Sequence, residues 1–137
     1  MQQIWKEKFD WDEILPMNIQ KTWTQLAQDL EKASSIELNR RYTTTHSPMN
    51  ELHVFVDASE SAYGATVFIC NENSSSLVMA KNRIAPLKQL TLPQLELMAA
   101  LIGARLGNHV SRTLEIETVT YWSDSQIVLQ WLSKKKP

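Results

Sequence analysis

Three carboxylates in this chain stand where solubility alone does not call for them. Asp57 closes the apolar run "ELHVFVDAS" (51–59), Asp124 closes "IETVTYWSD" (116–124), and Glu96 is the one carboxylate inside "TLPQLELMAALIGARLG" (91–107). Burying an unpaired carboxylate is expensive, so Glu96 must be exposed, neutralised or held for a purpose. Taken singly, each acid has a plain explanation: Asp57 as a turn residue, Asp124 as a helix cap, Glu96 as a solvated helix residue. Taken together, three acids brought to one place repel one another unless cations offset them. Hard carboxylate oxygens suit Mg²⁺ or Mn²⁺, and two such ions about 4 Å apart are the equipment of phosphodiester hydrolysis.

The elements that must position these acids follow from the apolar patterning. Residues 51–59, 62–70 and 77–85 read as three strands forming an antiparallel meander, with "NENSSS" (71–76) as a polar turn. Thr91 and Gln94 have capping-box spacing and Pro93 falls in a first turn, which predicts a helix from there to about Val110. A fourth strand (116–124) and a short helix (125–132) complete a β-β-β-α-β-α order, an α/β sheet of mixed pairing. Asp57 and Asp124 then sit at strand ends, where open α/β sheets bind ligands.

Residues 1–50 differ in character. Ile19, Trp23, Leu26, Leu30 and Ala33 recur at helical steps after Pro16, which predicts an amphipathic helix in need of a partner surface. "RRYTTTHSPMN" (40–50) reads as a polar boundary, so the expected organisation is a helical lead-in over 1–50 and a domain over 51–137. The 137 residues have room for one core; 14 basic against 15 acidic residues leave no overall field, so any attraction for nucleic acid must be local. The lone Cys70 excludes an internal disulfide, no stretch is long enough to span a bilayer, and the start does not resemble a signal peptide. The expectation is an intracellular protein without a membrane partner.

The motifs "VDAS", "AYGA", "LELMAA" and "SDSQIVLQWL" resemble, in order, the first strand, second strand, first helix and fourth strand–helix junction of ribonuclease H. With "WDEILPMNIQKTW" before them and "TLPQLELMAALIGARL" after "AKNRIAPLK", they resemble the ribonuclease H region of BEL/Pao-type retrotransposon polyproteins. The resemblance implies a ribonuclease H-like sheet with strand order 3-2-1-4. It implies hydrolysis of the RNA strand of RNA–DNA hybrids during reverse transcription, using two Mg²⁺ (or Mn²⁺) ions. The implied metal ligands are Asp57, Glu96 and Asp124. Ser59, Ser125 and Gln126 match segments that approach the nucleic acid, and the lead-in would join a reverse transcriptase domain, in cytoplasm or virus-like particles. The family's fourth acid follows a fifth strand, and the chain reaches Pro137 before either, so a C-terminally truncated domain of weak or absent activity is expected. Leu92 and Pro93 stand where cellular ribonucleases H have amides.

Other readings compete. An integrase-like nuclease would leave Glu96 without a task, and an aspartic peptidase needs a glycine that "DAS" and "DSQ" lack. A non-catalytic module that binds nucleic acid or a polymerase domain is the alternative from another class. Lys81, Arg83 and Lys88 flank the expected site and are the phosphate candidates. His46, His53 and His109 show no metal spacing, and His109 would oppose a helix dipole. "SKKK" reads as a solvated charge run, Cys70 as a strand residue without chemistry, and Trp122 and Trp131 as core.

Overall fold

The computed structural model describes residues 2–37 and 50–134. The chain divides into two compact units, residues 1–40 and 41–137. The expected polar boundary at 40–50 lies outside the described residues apart from Asn50.

The first unit holds α1 (Gln2–Glu7), which the apolar periodicity did not reveal, and α2 (Met17–Ala33). Pro16 is the N-cap of α2, with its fixed φ preset for the first turn. The helical stripe is present as expected, and Ile4, Leu15, Ile19, Trp23 and Leu26 share one groove. No residue of α2 is buried, and Trp23, Leu26 and Leu30 are exposed.

The second unit contains β1 (Glu51–Ala58), β2 (Ala62–Asn71), β3 (Ser74–Ile84), α3 (Leu92–Leu114), β4 (Val119–Trp122) and α4 (Gln126–Ser133). The sheet order is β3-β2-β1-β4, with β1 antiparallel to β2 and parallel to β4, the order that the resemblance implies. Strict alternation along β1 and β2 puts Leu52, Val54, Val56, Tyr63, Ala65, Val67 and Ile69 on one buried face. Against that face α3 lays Leu95, Ala99, Leu106 and Val110, spaced by one helical turn or by two. Gly103 and Gly107 let the helix approach closely. A Cβ at Gly103 would stand 2.3 Å from Val56 Cγ1, and one at Gly107 would stand 2.7 Å from the Tyr121 hydroxyl.

Four expectations need correction. The 71–76 turn is shorter: Asn71 pairs with Ser74 across Glu72 and Asn73, so Ser74–Ser76 belong to β3. The Asn71 side-chain oxygen accepts from the N–H groups of Asn73 and Ser74, which closes the tight loop that the polar run disguised. Helix α3 runs one turn beyond Val110, because no breaker follows Gly107; Glu115 ends it in the left-handed region at φ 55°. Strand β4 keeps only Val119–Trp122 of the expected 116–124. Trp122 and Trp131 are not core: they are 49% and 47% exposed. Trp122 lies on the sheet face away from α3, stacked on Phe55 and donating from Nε1 to His53 Nδ1 at 2.9 Å.

Two outcomes follow. Replacing Gly103 with Ala improves helix propensity by about 1 kcal/mol but forces Val56 aside, an overpacking cost of about 1–3 kcal/mol. A lower urea midpoint with unchanged slope is expected. In hydrogen exchange, amides of α2, with no buried residue, lose protection before those of β1.

Candidate active site

Strand β1 ends just beyond Asp57, and Asp124 follows β4 by two residues. The last parallel pair is Phe55 with Trp122, so each aspartate stands two residues past it, on adjacent strands. Helix α3 runs antiparallel to β1, since Gly103 meets Val56 while Gly107 meets Val54. Seven residues before Gly103, about 10 Å along the axis, Glu96 therefore reaches the same end of the sheet. Thr91 caps this helix, and its N–H donates to Gln94 Oε1 at 2.9 Å, the back half of the expected capping box.

Glu96 is half-buried, and its Oε2 accepts a short hydrogen bond from the Ser125 hydroxyl. Ser125 is 6% exposed and is also the N-cap of α4, its Oγ accepting from Val128 N–H at 3.3 Å. One serine thus joins the start of α4 to the first turns of α3. A charge-assisted bond of this kind offsets the desolvation of the carboxylate, which explains how the apolar helix carries it.

Asp57 is exposed and accepts from the Ala58 N–H at 2.7 Å. By strand alternation it leaves the sheet on the face of Phe55, opposite α3. It shares a shallow groove there with Thr66 and Asn82. Asp57, Gly64 and Asn82 form one row across three strands. A Cβ at Gly64 would stand 2.1 Å from Asn82 Oδ1, so the glycine admits that amide. Asn82 was not singled out from sequence; its signal is this row, visible only once the register is known.

The three carboxylates share one end of the sheet without forming a chelate. Among the described residues, no three of Asp, Glu, His and Cys stand close enough to hold a metal ion. The reason is the approach: Asp57 comes from the outer face and Glu96 from the α3 side, with one oxygen committed to Ser125. The donor chemistry suits a hard divalent cation; the spacing as it stands does not.

The remaining residues divide. Ser59 builds the β1–β2 turn, its Oγ donating to Ala62 O at 3.1 Å and accepting from the N–H groups of Ser61 and Ala62. Gln126 is exposed in the first turn of α4, and Lys88 is exposed between β3 and α3. Lys81 and Arg83 project on the α3 side of β3 and line a cleft with Arg105 and His109. His109 is therefore a cleft residue, more than a turn from the helix end. Cys70 lies on β2, and burial first, then the charge of Glu51, raises its thiol pKa. It is a protonated strand residue at neutral pH, not a nucleophile.

A family model described as Pao retrotransposon-like RNaseH-like domain matches residues 1–125 of the chain. No curated protein matches it.

Replacing Ser125 with Ala removes a helix cap, worth about 0.5–2 kcal/mol, and the donor to a half-buried carboxylate. The expected result is a lowered denaturation midpoint with faster amide exchange in α4. Ser125→Thr, which keeps a hydroxyl, restores most of the loss.

Proposed function

The chain belongs to the Pao retrotransposon-like RNaseH-like domain family, and from that membership we propose that it is the hydrolytic domain acting on RNA–DNA hybrids during reverse transcription. The single observation that carries this reading is the family match over 1–125, which includes Asp57, Glu96 and Asp124. A mixed sheet that ends two adjacent strands at aspartates, with a helix bringing a glutamate to the same end, supports it. RNase H-like domains generally use divalent metals, and nuclease activity belongs to the intact polyprotein.

On the finer reading, Asp57, Glu96 and Asp124 are the ligands of two Mg²⁺ or Mn²⁺ ions. Such ions, when bound, lower the pKa of water and stabilise a leaving oxygen. As arranged, the three acids form no chelating cluster among the described residues. The Ser125 hydroxyl offsets the cost of keeping the Glu96 carboxyl group half-buried, and leaves its other oxygen without a partner among the described residues. Ser59 holds the turn beside Asp57, so the backbone there is set before substrate arrives. Selectivity for RNA would come from the 2′-hydroxyl, which DNA lacks.

The exposed apolar face of α2 supports a lead-in over 1–50 that docks on a reverse transcriptase domain, with the hydrolytic domain at 51–137. The proposed setting is the cytoplasm or a virus-like particle; no helix among the described residues is long and apolar enough to cross a membrane. One observation favours a second reading, a nucleic-acid-binding module without catalysis: the absence of a three-ligand cluster among the described residues.

Cleavage of an RNA strand labelled at its end, in a hybrid, by the polyprotein carrying this domain separates the two. The hydrolytic reading expects Mg²⁺-dependent cuts that chelation abolishes. Asp57→Asn, Glu96→Gln and Asp124→Asn should each slow cleavage by more than the roughly 10–100-fold that loss of an outer-shell partner costs. The effects should not add, since the acids act as a unit. Binding without metal-dependent cleavage would leave the second reading in place.

A further inference from the structure

We propose that the cleft between β3 and α3 is a track for the phosphodiester backbone of a nucleic-acid strand, held by Lys81, Arg83 and Arg105. The cleft encloses about 510 Å³, with no Asp or Glu among its lining residues. The net charge of −1 hides the local balance. Residues 73–114, which carry β3 and α3, hold Lys81, Arg83, Lys88, Arg105 and Arg112 against the single acid Glu96. Among the described residues none of the three cleft cations makes an ion pair, unlike Lys32 with Asp29 and His53 with Glu51. Lysine and arginine side chains left unpaired over one concave surface focus a positive potential that near-neutral overall charge does not cancel.

The direction of the cleft ties it to the carboxylate end. Arg83 pairs through Tyr63 with Ala58, so it is level with the end of β1, two strand spacings or about 10 Å across the sheet. Arg105 and His109 lie nine and thirteen residues beyond Glu96 on the same helix, about 14 Å and 20 Å along its axis. The basic side chains therefore lead away from the carboxylate end, with Arg83 level with it, Arg105 farther along and His109 beyond them. Tyr63 and Met98 give the cleft an apolar wall, which suits a sugar backbone better than a free ion. Contacts of this type position a strand and read no sequence. The track rests on the nucleic-acid reading of the domain and extends it to a surface remote from the acids.

The test uses the full 137-residue chain and a fluorescent RNA–DNA hybrid in EDTA, with anisotropy read across a salt series. The expected salt slope falls by about one for each cation removed, so Lys81→Gln with Arg83→Gln and Arg105→Gln lowers it by about three. Affinity at low salt falls roughly tenfold or more. The charge-preserving set Lys81→Arg, Arg83→Lys and Arg105→Lys keeps the slope of the native chain. An unchanged slope in the glutamine variant overturns the track, as does an equal loss in the charge-preserving variant. Competition by polyglutamate as strong as by unlabelled hybrid also overturns it, since the cleft would then serve an acidic protein. Cleavage by the polyprotein is a separate readout. A slope that falls as expected beside a polyprotein that does not cut sinks the hydrolytic reading alone, and cutting with an unchanged slope sinks the track alone.

Discussion

The close approach of α3 to the sheet governs the rest of the second unit. Gly103 and Gly107 have no side chain to hold the helix off Val54, Val56 and Tyr121, so the helix lies within van der Waals reach of β1 and β4. Interiors packed at crystal-like density leave no slack for an added methyl group at such a crossing. The helix can therefore sit in one place only. Its antiparallel course along β1 then carries Glu96 past the strand ends and turns Arg105 and His109 toward β3. Two glycines thus set the position of both surfaces that face nucleic acid on the proposed reading.

At the end of the sheet a single hydroxyl does several things at once. Ser125 caps α4, donates to Glu96 and is itself buried. A carboxylate at this depth without a donor would cost a desolvation penalty of about 1–3 kcal/mol or more. The bond also couples α4 to α3 at the end of the sheet where the acids stand. Glu96 and Asp57 approach from opposite faces of the sheet, so an ion bridging them would have to draw the two faces' groups together.

Much of this was legible before any coordinates. The apolar runs at 51–59 and 62–70 read as strands and the capped start at Thr91 read as a helix, and four short motifs in order resembled a known sheet. The family and its mixed sheet of order β3-β2-β1-β4 followed from those. The strict alternation and the buried stripe of Leu95, Ala99 and Leu106 emerged with the structure. What stayed hidden depends on register and on three-dimensional neighbours. Trp122 read as core because it is large and apolar; it stands on the face that α3 does not cover. Asn71 closes a loop through its side chain, which composition alone cannot distinguish from a longer polar turn. Ser125 looked like a substrate contact, and its hydroxyl is taken up by Glu96 and Val128. Arg105 passed unremarked as one cation on a helix until β3 brought Lys81 and Arg83 beside it.

The central claim is that Asp57, Glu96 and Asp124 make one functional centre at the end of this sheet. Paramagnetic broadening tests it directly: substoichiometric Mn²⁺ is added to the isotope-labelled chain bound to an RNA–DNA hybrid, and amide signals are followed residue by residue. The account predicts that signals from 57–59, 95–97 and 123–126 broaden first and together, while those of the β2–β3 turn persist. Broadening centred elsewhere, or affecting only one of the three segments, would contradict it.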